Sequence, residues 1–491
     1  MSAANNAGAA GAVQAGGTRT RLWAWVRGGG GWVVLLTAAA FAVRVWRLDA
    51  PPSPVYDENT VLHQAGSYLR GWPYMLSLQP PLAKLMVAAS VLLFGDNPWA
   101  WRLPNVCIGA AMIPLVYAIA KKALDSRPAA LFAAAIVSLD GLFLVCSRTG
   151  MINTGYLAIM AVVFLLLFTL AESADPIARR RLIAAIGIAL GLSLGAKTGV
   201  SEVIVLLATG FIVFDIIRFE NHLAASARAP LRAIIGALIL AGGLAAIAYV
   251  AVFIPYFYHG WWTGLSDAIG YERWMLRGNV RLPDMSPNSS PFWSWPLMLR
   301  PFPYFHRADA DSIQTVWCGG NPVVWWEIIP AVLLMAARAV RQRASGPLFL
   351  TIAYFAFFLM WAPIKRYLLI YDYLPALFIG AIAIGDSLGR CWTGAASKWE
   401  YPLLLIPPAA ALYFGVPHRE GAAISAAVAI IYLVSAWRGG RSEGRFVCAV
   451  IVGGAAIAFV YFYPLWTGAI MTHPAHDARM WFQGPGIANW Q

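Results

Sequence analysis

The sequence predicts an all-α polytopic membrane protein, and three observations carry the prediction. Of its 491 residues 60% are hydrophobic and 12% charged; apolar stretches long enough to span a bilayer recur from Trp32 almost to the C-terminus; and the basic residues fall in small clusters between those stretches. So little polar surface does not wrap a soluble globule of this size, whereas a bilayer is a solvent that fits it. The formal net charge of +13 would suit a nucleic-acid binder, but no continuous basic stripe carries it. The charge is dispersed over loops, which is a topology pattern, and nucleic acid is set aside as a partner.

Residues 1–31, rich in Ala and Gly with Arg19, Arg21 and Arg27, read as a disordered cytoplasmic tail. About thirteen spans follow, each near the ~20 residues a membrane helix needs: 32–49, 100–119, 129–146, 154–171, 182–199, 201–218, 231–254, 322–340, 346–363, 368–387, 401–415, 421–437 and 446–463. With the N-terminus cytoplasmic, the inner loops hold Lys121/Lys122/Arg127, Arg179/Arg180/Arg181, Arg218/Arg228/Arg232, Arg338/Arg341/Arg343, Arg390/Lys398 and Arg438/Arg441/Arg445, so every inner loop is basic. The Trp-, Tyr- and Pro-rich loops 50–98 and 255–320 then fall outside and are expected to carry interfacial helices. Residues 32–387 form a core with those loops, 388–463 are C-terminal membrane helices, and 464–491 an external tail. The five cysteines are scattered without a CxxC pair, which suggests neither a zinc site nor a disulfide framework.

Chemistry must come from loops and helix ends. Asp57 and Glu58 are tandem carboxylates just past the first span. One of them serves as a general base if burial and neighbours hold its pKa in a useful range; a solvated acidic pair is the plainer alternative. Lys84 follows two prolines that suit a helix start, and would bind a phosphate as a point charge or simply snorkel to the interface. Arg102 opens the second span, Arg148 ends the third, and Lys365 and Arg366 form another cluster on the same expected outer face. Cations there run against the topological bias and call for a partner, of which an anionic lipid phosphate is one. Asp372 either neutralises Lys365 or Arg366 or meets substrate, and Lys197, in Gly195-Ala196-Lys197-Thr198-Gly199, carries a weak signal of the same kind.

Taken in order, these segments resemble the protein O-mannosyltransferase family of GT-C glycosyltransferases, and more distantly the lipid A aminoarabinose transferases. Tyr56-Asp57-Glu58 is similar to the family's Asp-Glu motif, and Gln79-Pro80-Pro81-Leu82-Ala83-Lys84 to its His-Pro-Pro-Leu-Gly-Lys. The series continues through Phe94-Gly95-Asp96-Asn97-Pro98, Trp101-Arg102-Leu103-Pro104, Leu139-Asp140-Gly141, Ser147-Arg148-Thr149-Gly150-Met151, Lys197-Thr198-Gly199, Ser294-Trp295-Pro296, Gly320-Asn321-Pro322 and Tyr371-Asp372-Tyr373. The resemblance implies a GT-C fold in its compact bacterial form and a multi-pass protein of the bacterial inner membrane with an external active site. It implies inverting transfer of a sugar, most often mannose, from a polyprenyl-phosphate donor to a protein Ser or Thr hydroxyl. Carried over, Asp57 is the base with Glu58 beside it as a second catalytic group; Lys84, Arg102, Arg148, Lys365 and Arg366 contact the donor phosphate; and Asn153, Asn288, Ser290, Asn321 and Tyr371 are further candidates for the site. No cofactor is implied and no metal-ligand cluster is present, while a divalent cation assisting phosphate departure is compatible with the chain. Gln79 stands where the family usually has His, Asn153 where it usually has Asp, and Pro287-Asn288-Ser289-Ser290 lacks the His that commonly precedes the Ser. These departures leave the acceptor open: a lipid, glycan or cell-wall polymer, or a non-enzymatic lipid-sugar binder or transporter, are the competing readings.

Overall fold

Helices dominate the computed structural model, which describes residues 29–71, 77–223, 229–280, 286–415, 440–482 and 489–490. In chain order they are α1 (Gly31–Val45), α2 (Glu58–Arg70), α3 (Leu82–Phe94), α4 (Pro98–Leu124), α5 (Arg127–Ser138), α6 (Gly141–Ser147), α7 (Asn153–Glu172), α8 (Pro176–Leu194), α9 (Val200–Leu223), α10 (Ala229–Val252), α11 (Ile254–Tyr258) and α12 (Leu265–Val280). After a ribbon of two strands, β1 (Phe302–Ala308) and β2 (Ile313–Cys318), come α13 (Pro322–Gln342), α14 (Ser345–Leu359), α15 (Leu374–Thr393), α16 (Glu400–Gly415), α17 (Arg441–Thr467), β3 (Ile470–Met471) and α18 (His473–Asp477).

The long helices start where the sequence supplies a cap. Asn97 accepts from the Ala100 amide with Pro98 in the first turn of α4, Ser126 accepts from Ala129 before α5, and Asp175 accepts from Ile177 and Ala178 before α8. Helix α15 is the centre of the bundle: 17 of its 20 residues are buried. It lies against α5 through Gly385 and Gly389, where a Cβ would stand 2.6–2.7 Å from Ala129 and Ala133 atoms, so only a bare backbone permits that approach.

Each expected span in the described residues is mostly helix, with 46–49, 195–199 and 360–363 falling in the turns that follow α1, α8 and α14, and the span at 421–437 lies outside them. By length and apolarity alone seven of these helices can cross a membrane, or eight if α5 and α6, bent by 62° at Leu139–Asp140, count as one span. The difference from thirteen has a physical basis. Helices α1 and α14 are 15 residues each, α16 carries Pro407 and Pro408, and α8 opens on Arg179, Arg180 and Arg181. The loops 50–98 and 255–320 contain α2, α3, α11 and α12, and the second also adds a short β ribbon to the otherwise helical fold. Strands β1 and β2 pair antiparallel with a bulge between Pro303 and Phe305, and β3 adds to β2 through Ile313–Met471 and Gln314–Ile470. The signal was in the sequence: Phe302 and Tyr304 alternate inward, and an Asp- and Ser-rich turn separates them from the β-branched run Ile313–Val316.

Candidate active site

A cavity of about 330 Å³ opens where α2, the entry to α3, the α6–α7 turn, the α8–α9 turn and the segment before α15 converge. Its single exposed carboxylate comes from a local fold that separates the two tandem acids. The Arg102 guanidinium donates all five of its N–H groups: Nε and Nη2 to the two Glu58 oxygens at 3.0 Å each, and the rest to the carbonyls of Leu48, Pro51 and Ser53. The Glu58 carboxylate also accepts from the amides of Val55 and Gly150 at 2.9 and 2.6 Å. Gly150 is required there, since a Cβ would come within 2.8 Å of the Trp101 carbonyl. With Glu58 fully buried, the next side chain back along the helix start, Asp57, faces the cavity. Tyr56 turns the chain into α2 at φ +45°, donates its amide to the Tyr304 carbonyl at 3.0 Å and stacks its ring on Tyr304 at 5.2 Å. The Asn288 side chain lies near the Tyr56 hydroxyl. Protein around the Asp57 carboxyl raises its pKa by desolvation, Lys197 pulls it down, and Asp372 pushes it up.

Three cations share the cavity with Asp57. Lys84 donates to Ser77 Oγ at 2.8 Å and to the Gln79 carbonyl, and burial lowers its ammonium pKa to about 7. Lys197 pairs with Asp372 at 3.3 Å and lies 4.7 Å from the Tyr156 ring centre and 5.5 Å from that of Tyr371. Asp372 therefore answers Lys197 rather than Lys365 or Arg366. Arg366 lines the cavity beside Tyr371 and over the Trp361 ring at 5.8 Å, while Lys365 is exposed. Asn153 also lines it, buried, with no hydrogen-bond partner for Nδ2 among the described residues.

Gln79 ties this wall together. Its Oε1 accepts from the Thr198 amide at 3.0 Å and hydroxyl at 3.3 Å, its Nε2 donates to Asn279 Oδ1 at 3.4 Å, and Asn279 Nδ2 reaches back to Thr198 Oγ1 at 3.4 Å. An amide accepts and donates at once, which a neutral imidazole does only in one tautomer and an imidazolium does not do. Gln79→Met, equal in length but without either function, is expected to raise the Km for an anionic donor severalfold while leaving the thermal midpoint within a few degrees. Unchanged steady-state constants would show that the tie does not position Lys197.

Several candidates stand away from the cavity. Arg102 has no N–H left for a phosphate, and Glu58 is locked to it. Arg148 caps the C-terminal end of α1, donating to the carbonyls of Val43, Arg44, Trp46 and Arg47. Ser290 accepts from the Trp295 indole at 2.9 Å, and Asn321 caps α13 and bridges the Leu139 and Ala455 carbonyls. Conversely, Lys197, Ser77 and Asn279 enter the site with little warning. Only a Lys-Thr pair in a turn between two apolar helices marked the first.

Comparison with known proteins shows the family and the fold. Family models described as dolichyl-phosphate-mannose-protein mannosyltransferase match residues 34–101 and 78–245, and one described as the C-terminal four-transmembrane region of protein-O-mannosyltransferase matches 265–484. A relative in Mycolicibacterium smegmatis, named polyprenol-phosphate-mannose–protein mannosyltransferase, is 25% identical in an alignment of 434 positions that covers 73% of this chain and 82% of the relative. One of the same name in Corynebacterium glutamicum is 23% identical, over 70% and 79% of the two chains. Among solved structures, the S. cerevisiae protein O-mannosyltransferase Pmt1–Pmt2 complex bound to its sugar donor superposes with a TM-score of 0.72 at 13% identity, covering 92% of each chain. ArnT from Cupriavidus metallidurans bound to undecaprenyl phosphate gives 0.56 at 18% identity, covering 89% of this chain and 78% of that one. With family models running from residue 34 to 484 and the fold shared over nearly the whole length, the chain belongs to the protein O-mannosyltransferase family.

Proposed function

We propose that this protein transfers mannose from a polyprenyl-phosphate carrier to a protein Ser or Thr hydroxyl, with inversion, on the non-cytoplasmic face of the membrane. The observation that carries the reading is one free carboxylate, Asp57, set in the same cavity as Lys84, Lys197 and Arg366. Asp57 takes the proton of the acceptor hydroxyl as that oxygen bonds to the sugar C1. The C1–O bond to phosphate breaks, and the electron pair leaves on the polyprenyl phosphate. Single displacement inverts C1, and the cations offset the charge that grows on the departing phosphate. The unpartnered Asn153 Nδ2 is a donor for a sugar or phosphate oxygen. The names of the mycobacterial and corynebacterial relatives support mannose as the sugar and protein as the acceptor, and the basic loops at the opposite helix ends support the external orientation.

Incubating purified protein with a panel of polyprenyl-phosphate sugars and either Ser/Thr-containing peptides or glycan acceptors, read by product mass, tests this. A hexose added to peptide from the mannose donor is expected. Transfer only to glycan or lipid moves the acceptor class, and no transfer from any lipid donor removes the enzyme reading.

The pH dependence has a defined sign. The base works deprotonated, so kcat/KM falls as pH falls through the Asp57 pKa, and that limb lies above the ordinary carboxylate value of ~3.9. Because Lys197 lowers this pKa and Asp372 raises it, Lys197→Met moves the limb to higher pH and Asp372→Asn to lower pH. A limb that moves in neither variant would assign it to another group.

A further inference from the structure

Helix α8 links two places on the molecule. Its C-terminal end delivers Lys197 to the cavity; its first turns, roughly 20 Å away along the axis at 1.5 Å per residue, border a second groove of about 310 Å³ between α8, α9 and α10. One face of each helix lines it at helical spacing: Arg179 and Arg180 from α8, Phe219 from α9, and Ala233, Gly236 and Ala237 from α10.

The polar end is built and its charge is specified. Arg179 is held by the carbonyls of Leu170 and Ser173, by Asp215, and by the Phe219 ring, whose centre lies 4.0 Å from the guanidinium carbon. Asp215 is thereby spent. Two further acids with described side chains at these helix ends are spent as well: Asp175 caps α8 and Glu172 pairs with Lys122. Arg180, exposed, has no ion-pair partner among the described residues, and the exposed Arg181 and Arg232 stand near the same helix ends. Among the described side chains the groove therefore carries an unpaired positive charge at its mouth. The apolar end is small-walled: a Cβ on Gly236 would meet nothing within 4 Å, so its depth depends on the missing side chain. A cationic mouth over a narrow apolar slot between membrane helices is complementary to a phosphodiester headgroup with an attached acyl chain, and a free phosphate would leave the slot unfilled.

We infer that this groove binds an anionic glycerophospholipid, with its phosphate at Arg180 and an acyl chain along Ala233, Gly236 and Ala237. The site is independent of the transfer reaction and lies at the opposite ends of the helices from the cavity. Basic residues at a membrane surface attract anionic lipid with about fivefold gain per residue.

The test is native mass spectrometry of the purified full-length protein, delipidated and then mixed with dioleoyl phosphatidylglycerol, dioleoyl phosphatidylcholine or inorganic phosphate. Wild type is expected to retain phosphatidylglycerol over phosphatidylcholine, and Arg180→Gln to lose about fivefold of that preference. Gly236→Leu, which fills the slot, is expected to lose the adduct for both lipids; if that variant does not fold, Arg180→Gln at its exposed position decides alone. Equal retention of the two lipids by wild type, or a preference unchanged in Arg180→Gln, overturns the site. An adduct with inorganic phosphate that phosphatidylglycerol does not displace overturns the lipid assignment.

Discussion

Asp57→Asn is expected to lower sugar transfer by a factor on the order of 10²–10⁴, the range a positioned general base supplies, with little change in thermal midpoint or in binding of a polyprenyl-phosphate donor. The separation of effects follows from the geometry. The Asp57 side chain makes no capping bond to α2, and its pKa responds to burial and to the charges of Lys197 and Asp372 without a hydrogen bond of its own. Removing its charge therefore takes away the proton acceptor without orphaning a structural donor. Asp57→Glu keeps a carboxylate one methylene further out and should retain a measurable fraction of the rate. Full activity in Asp57→Asn would refute the assignment of the base; a collapse of donor binding would instead make Asp57 part of the donor site.

The sequence carried the bundle well because helix-forming apolar runs and basic loops are local signals. It carried the first half of the site for the same reason: Asp57 and Lys84 each sit at a helix start, next to prolines or a tyrosine turn. What it did not carry was the direction in which neighbouring charges face. Asp57 and Glu58 are indistinguishable as a tandem pair, yet one opens on the cavity and the other is sealed under Arg102, 44 positions away in the chain. Arg102, Arg148 and Arg366 look alike as cations at helix ends. Two of them satisfy backbone carbonyls of the α1 exit, and only Arg366 reaches the cavity. Such assignments depend on closure between distant segments, and no local period reports it. The β ribbon is the converse case, legible by alternation but hidden among helical surroundings.

The Glu58–Arg102 lock gives the largest expected effect on folding, and it separates structural from catalytic cations. Removing one partner of a buried, hydrogen-bonded ion pair leaves an uncompensated charge, which costs about 3–5 kcal/mol. Glu58→Gln and Arg102→Met should each lower the folded yield and the thermal midpoint sharply, read by size-exclusion thermostability of the detergent-solubilised protein. The double variant Glu58→Met/Arg102→Met should be no worse than the poorer single one, because the unpaired charge disappears with its partner. It should not return to wild type either, since the carbonyls of Leu48, Pro51 and Ser53 and the amides of Val55 and Gly150 lose their partners in it. Arg102→Lys decides the remaining question. A lysine keeps the charge but has three donors for the five bonds made here, so stability should fall part of the way. In its folded fraction the Km for the lipid donor should stay within about twofold of wild type, whereas Lys84→Ala should raise it, since of these two residues Lys84 lines the cavity and Arg102 does not. A raised donor Km at wild-type stability in Arg102→Lys would return the guanidinium to the phosphate and require the loop 48–53 to open when donor binds.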